Sequence, residues 1–238
     1  MAKKLKHGLI GCGGCGVGKH LASYAKHPQD VELYGVYDFE PEKARAAAEK
    51  YAVPHIFDTY EALLADPQID TVSVVTPNVL HAPVVIAALK AGKHVHVEKP
   101  IAMNAVEAQA IVDAKNASGK KVMVALNNRF TDMAQFIKRY IEEGNLGEVY
   151  HARCGWHRRR GMPGWGGWFT TKALSGGGPI IDLGVHFIDL TLFMLGFPNP
   201  RTVSASAYCK FGNHIPAGAA NPKGVFDVED LATGFIRL

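Results

Sequence analysis

The sequence predicts an α/β protein, a doubly wound parallel sheet followed by an α+β region with a mainly antiparallel sheet. Three observations predict it. Short apolar runs alternate with helix-like stretches six times in about the first 125 residues, the rhythm of strand–helix units that build a parallel sheet. A glycine-rich turn joins the first apolar run to the first helix. Beyond Gly144 the rhythm changes to the alternation of an antiparallel strand.

The elements follow in order. Leu9 and Ile10 end the first strand, and Gly11, Gly13 and Gly16 then stand at the spacing G-x-G-x-x-G. The first glycine permits the tight turn, the second lets backbone approach a diphosphate, and the third lets helix lie close on strand. The helix expected over residues 17–26 points its N-terminal amides at those phosphates. The motif alone is weak, since any glycine-rich turn contains it. Its context, strand before, helix after and an acid ending the next strand, points to dinucleotide binding. Residues 31–38 are that second strand. Asp38 lies about 20 residues past the turn, where a carboxylate accepts hydrogen bonds from ribose hydroxyls. A 2′-phosphate would be repelled there and no arginine follows directly, so NAD is expected in preference to NADP. Asp38 also suits the start of the alanine-rich helix 41–51.

A short strand at 55–57, a helix at 60–65 and a strand at 71–75 come next, then Thr76-Pro77-Asn78. Helix 80–91 closes at Gly92. Strand 94–97 leads to Glu98-Lys99-Pro100, and Asn104 caps a helix over 105–117. Strand 122–125 precedes Asn127-Asn128-Arg129-Phe130. Gly11, Asp38, Thr76, Glu98 and Asn127 all fall at carboxyl ends of strands, where doubly wound sheets bind ligands. A helix is expected over 131–143, an alternating strand over 149–157 with Cys154 in the core, and a Gly/Trp-rich loop over 158–169. An apolar, buried helix over 180–195 and strands over 202–210 and 229–238 complete the second region, with a Gly/Pro/Ala-rich loop at 213–225. The expected division is a dinucleotide-binding domain, 1–126, and an α+β domain, 127–238, for substrate and assembly. So few strands in the second region suggest a C-terminally incomplete sheet.

Composition narrows the function classes. Of 238 residues, 47% are apolar and 20% charged, with a net charge of +4, an ordinary globular balance. The cluster His157-Arg158-Arg159-Arg160 has no basic stripe around it, so it reads as an anion-facing loop or solvated surface rather than a nucleic-acid site. The absence of an apolar run of membrane-spanning length predicts no membrane segment, and the Met1-Ala2-Lys3-Lys4 start predicts no signal peptide. The four cysteines do not make two matched pairs. Cys12 and Cys15 are read as small fillers of the glycine turn, not a zinc half-site, and no metal is expected. A reducing, cytoplasmic setting fits this usage.

Chemistry concentrates at three residues. Lys99, after a buried strand, can stabilise developing oxyanion character during hydride transfer. A solvated lysine at a strand end is the plainer alternative. Glu98 can anchor the cofactor or hold Lys99. Asp182 and His186, four apart on an apolar helix, share a face. A histidine tuned by a carboxylate is a suitable base near neutral pH, and a structural pair is the alternative. Asp189, one turn on, suits a contact between the two regions.

These motifs together resemble the Gfo/Idh/MocA oxidoreductases, the glucose–fructose oxidoreductase and inositol dehydrogenase group. The resemblance runs through the glycine turn with His20, Asp38, Thr76-Pro77-Asn78 with His81, Glu98-Lys99-Pro100, and Gly176-Gly177-Gly178 followed by Asp182 and His186. It implies a Rossmann domain in which Gly11, Cys12, Gly13, Gly14, Cys15, Gly16, Asp38, Thr76, Pro77, Asn78, His81, Glu98 and Lys99 hold NAD. It also implies catalytic roles for Lys99, Asp182 and His186, with Arg129 beside them at the substrate. A second domain with an open sheet, often the homo-oligomer interface of a dimer or tetramer, comes with it. The expected function is an NAD-dependent dehydrogenase of a secondary hydroxyl on a sugar or cyclitol. Its rivals are a glycosidase using transient oxidation by NAD and a non-catalytic dinucleotide-sensing regulator. Retention of Lys99, Asp182 and His186 argues against the regulator.

Overall fold

The computed structural model describes residues 3–159, 161, 164–212, 214–215, 219 and 221–238. Met1, Ala2, Arg160 of the basic cluster and positions 162–163, 213, 216–218 and 220 of the two loops lie outside them. The chain divides into two compact units, Met1–Ala125 and Leu126–Leu238.

The first unit is a six-stranded sheet in the order β3-β2-β1-β4-β5-β6, made of β1 Leu5–Ile10, β2 Val31–Tyr37, β3 His55–Ile56, β4 Thr71–Val74, β5 His94–Val97 and β6 Val122–Val124. Every pairing is parallel. Successive strand residues face opposite sides, which Leu9 and Ile10 show directly. Leu9 joins a cluster with Leu21, Val36, Ala44, Ala47 and Ala48. Ile10 joins one with Leu63, Val74, Ala82, Val85, Leu89 and Ile111. Burying each of these two side chains fully stabilises by about 1.5–3 kcal/mol. The first cluster takes in helix α2 (Pro41–Tyr51), and the second α3 (Tyr60–Ala65), α4 (His81–Lys90) and α5 (Ala105–Ser118). Helices therefore cover both faces. Side-chain caps fix their starts: Thr59 accepts from the Ala62 amide and Asn104 from the Glu107 amide.

The helix after the glycine turn departs from expectation. Gly16–Leu21 is a π-helix, followed by the short α-helix Ala22–Tyr24 (α1).

In the second unit, Thr131 caps α6 (Asp132–Glu142). The short α7 (Lys172–Ser175) is followed by a π-helical turn, Ile180–Gly184, that runs into α8 (Val185–Met194). Strands β7 (Thr202–Tyr208) and β8 (Leu231–Arg237) form an antiparallel pair. Three expectations fail here. Residues 149–157 form no strand. Alternation decides which face each side chain would take but supplies no hydrogen-bonding neighbour, and among the described residues none runs beside it. Tyr150 is accordingly 93% exposed, and Cys154 is exposed rather than core. The apolar helix over 180–195 is half-buried, not buried, and π-helical in its first turn. The Asp189 carboxylate pairs with the Arg129 guanidinium of its own unit, with Arg129 Nε 2.7 Å from Asp189 Oδ2. Lys172–Met194 is a 23-residue stretch long and apolar enough, by length and composition only, to cross a membrane, a test that the core helix of a soluble protein also passes. A few polar residues interrupt it, so it holds no unbroken apolar run of that length. Bends at residues 176–178 nevertheless separate α7 from the turn that follows.

Candidate dinucleotide site

The sheet order reverses between β1 and β4, and the crevice outside their carboxyl ends is where doubly wound sheets bind ligands. Gly11 leaves β1 with φ +101°, and a Cβ there would meet the Val75 carbonyl oxygen at 2.2 Å. A Cβ on Gly16 would meet the Gly11 oxygen at 2.1 Å. Both glycines are therefore demanded by protein packing. Gly13 and Gly14 are not: a Cβ on either meets nothing within 4 Å. The bare backbone at Gly13 and Gly14 leaves a cradle that side chains would fill, the fit a diphosphate needs. Thr76 Oγ1, at the end of β4, is buried without a hydrogen-bond partner among the described residues, which also suits a ligand.

Asp38 fastens this turn. Its Oδ2 accepts from the Cys12 amide at 2.7 Å and its Oδ1 from the Glu40 amide at 2.9 Å. Each oxygen keeps acceptor capacity for ribose hydroxyls. Next to it Phe39 leaves its ring 72% exposed, a surface aromatic that sequence patterning did not single out. Cys12 is buried, and burial, with the Asp38 charge, pushes its thiol up to about 12.

Beneath the turn runs a buried polar network. His7 Nε2 lies 3.0 Å and His20 Nδ1 2.9 Å from Ser73 Oγ. His20 Nε2 lies 3.1 Å from Glu98 Oε1, to which Cys15 Sγ donates at 3.2 Å. Tyr24 Oη lies 2.9 Å from His96 Nδ1. Burial alone would raise the Glu98 carboxyl; the hydrogen bonds from His20 and Cys15, the His20 charge and the Lys99 amide outweigh it and hold it at about 2. His7, Ser73, Tyr24 and His96 were missed by sequence reasoning, although polar residues inside apolar strands were a usable signal. Cys15 does more than fill space, since it hydrogen-bonds Glu98.

His81 is fully buried, with Nδ1 2.6 Å from the Pro100 oxygen and Nε2 2.9 Å from the Thr76 oxygen. Both ring nitrogens are thus engaged by backbone, so His81 ties the Thr76 and Pro100 segments together and offers a ligand no free nitrogen. Pro77 and the buried Asn78 lie between. The network gathers Cys15, His20 and Glu98, with Lys99 following Glu98 in the same segment. Asp182 stands in the π-helical turn and His186 in the first turn of α8, both in the second unit. Gly178 is the tightest point before them, where a Cβ would meet the Glu229 oxygen at 1.9 Å. Arg129 is committed to Asp189, and its guanidinium carbon lies 5.6 Å and 5.0 Å from the Phe193 and Phe197 ring centres.

A glycine cradle, an acid at the second strand end and an orphaned threonine hydroxyl define a dinucleotide-binding fold. Residues 5–126 match the model of an oxidoreductase family with an NAD-binding Rossmann fold, and residues 134–238 match the Gfo/Idh/MocA C-terminal domain. The chain belongs to the Gfo/Idh/MocA oxidoreductase family. It is 37% identical over 235 residues to a D-glucoside 3-dehydrogenase of Escherichia coli (strain K12), covering 98% of this chain and 66% of that protein. Among solved structures it resembles an NAD-binding protein from Listeria innocua, at 35% identity and TM-score 0.80, covering 98% of this chain and 63% of that one. It also resembles a levoglucosan dehydrogenase in complex with NADH and levoglucosan, at 30% identity and TM-score 0.83, covering 99% and 64%. The chain spans just under two thirds of the length of each.

Proposed function

We propose that the protein is an NAD-dependent oxidoreductase acting on a secondary hydroxyl of a sugar or cyclitol. The observation that carries this is the bare cradle at Gly13 and Gly14, flanked by the Cys12 amide that Asp38 holds and by Cys15 of the Cys15–His20–Glu98 network. The names of the relatives, D-glucoside and levoglucosan dehydrogenases, support a sugar. NAD supplies the hydride acceptor, and the residues of this chain supply orientation and electrostatics. Gly11 to Gly16 and Asp38 hold the dinucleotide, with Thr76 and Glu98. Lys99 polarises the substrate oxygen. His186 takes the hydroxyl proton, oriented by Asp182. Arg129 acts through Asp189 and the phenylalanines as a positioning residue of the substrate domain, 127–238, which follows a Rossmann domain over 1–126. Exposed Val203, Tyr208, Leu231 and Phe235 on β7 and β8 support assembly through that sheet. The four free cysteines support a cytoplasmic setting.

The test is a panel of sugars and polyols with NAD and with NADP, read by reduced-nicotinamide absorbance. NADH formation with at least one sugar is expected, and Lys99→Ala should lower turnover roughly 10²–10³-fold while NAD affinity changes little. Unchanged turnover removes Lys99 from the chemistry. Release of an aglycone without net NADH replaces the dehydrogenase by a glycosidase.

A further inference from the structure

The π-helical turn has a chemical consequence. In an α-helix, residues five apart point in different directions, whereas a π-helix aligns them more closely. Cys15 caps this one and His20 lies in it, five positions on. Glu98 arrives from the end of β5. Cys15 Sγ, His20 Nε2 and a Glu98 oxygen all lie within 4.8 Å of one another. We propose that these three side chains form a site for a single thiophilic divalent cation, Zn²⁺ foremost, with the fourth position left to water.

The distances fit. Usual zinc–sulfur, zinc–nitrogen and zinc–oxygen lengths set tetrahedral edges of about 3.5 Å from sulfur to oxygen and about 3.3 Å from nitrogen to oxygen. The separations here are 3.2 Å from Cys15 Sγ to Glu98 Oε1 and 3.1 Å from His20 Nε2 to the same oxygen, so these two edges need shifts of only a few tenths of an ångström, and the sulfur–nitrogen edge, within 4.8 Å, closes by rotation of the Cys15 side chain. The donors fit as well: a thiolate, an imidazole and a carboxylate are all ordinary zinc ligands. A second layer aims them. Ser73 Oγ holds the other nitrogen of His20 at 2.9 Å, and the Lys99 amide donates to Glu98 Oε2 at 3.1 Å, as outer partners of metal ligands do. The charges balance, because thiolate and carboxylate together offset the cation in a half-buried place. As the sulfur–metal bond forms, the Cys15 thiol proton leaves to solvent. Glu98 gives up its hydrogen bonds from Cys15 and His20 in exchange for the metal.

This inference does not rest on the oxidoreductase reading, and its readout is spectroscopic. Purified reduced protein with Cys154 and Cys209 replaced by serine is titrated with Co²⁺ alone, with no dinucleotide. The expected result is one equivalent bound with a thiolate-to-cobalt charge-transfer band in the near ultraviolet, displaced by Zn²⁺. Cys12→Ser should keep the band. Cys15→Ser should abolish it, and Glu98→Gln, which preserves shape, should weaken binding at least about tenfold. Circular dichroism confirms that each variant is folded. The proposal is overturned if the parent shows no such band, if the band survives Cys15→Ser, or if Glu98→Gln binds as tightly as the parent.

Discussion

Two alanine substitutions one turn apart should separate folding from cofactor binding. At Gly16 a Cβ would stand 2.1 Å from the Gly11 carbonyl oxygen, and 3.4 Å from Leu9 Cδ2. The oxygen belongs to backbone held by β1 and the turn, so it cannot rotate aside as a flexible side chain would. The overlap must move the helix start off the strand, at a cost of about 1–3 kcal/mol. For a chain of this size that lowers the melting temperature by roughly 2–4 °C per kcal/mol. At Gly13 a Cβ meets nothing within 4 Å, and φ there is not positive. Gly13→Ala should leave stability unchanged or raise it by up to about 1 kcal/mol, by narrowing the unfolded ensemble. The added methyl fills the cradle instead, so NAD affinity should fall at least about tenfold, or 1.4 kcal/mol. Thermal melting by circular dichroism and NAD titration by calorimetry read the two quantities separately. NAD binding at parental strength by Gly13→Ala would show that the diphosphate does not lie over this turn. A parental melting temperature for Gly16→Ala would refute the packing argument.

Other outcomes follow from the same geometry. Asp189→Ala strands the half-buried Arg129 guanidinium, whose partner carboxylate is mostly buried. The loss should be about 1–3 kcal/mol after allowing for partial solvent screening, measured as a shift of the urea midpoint, while Asp132→Ala, at an exposed position of α6, should shift it little. Stability should also fall with acid. Burial, with the charges of His20 and His96, holds His7 down at about 3; burial and His20, against Glu98, hold His96 at about 4. The unfolded chain therefore takes up these protons first, below about pH 6.5. The stability is complete above that value and is lost by up to about 1.4 kcal/mol per pH unit per histidine, down to about pH 4 for His96 and about pH 3 for His7. Equal urea midpoints at pH 7 and pH 5 would contradict this.

What the sequence made legible was local. The strand–turn–helix context of Gly11 to Gly16, the Asn104 cap and the alanine face of α2 each follow from residues within one turn of each other, and all stand in the structure. What it hid depended on partners distant in the chain. Residues 149–157 have the alternation of a strand and, among the described residues, no strand to join. Arg129 finds Asp189 sixty residues away. The histidine network exists because the sheet register sets Ser73 beside Leu9 on one side and His96 on the other, so that polar groups from three strands meet below the glycine turn. The π-helical turn was hidden for a related reason: its residues suit an α-helix equally well.

Asp38 carries two duties that cannot be changed separately. The carboxylate proposed to choose between the two forms of the coenzyme is also the knot that ties Cys12 to the start of α2. Exchanging it for a neutral residue to welcome a 2′-phosphate would slacken the loop that must grip the diphosphate. A change of coenzyme preference would therefore have to begin at its exposed neighbour Phe39, where a positive side chain can be added while the knot stays tied.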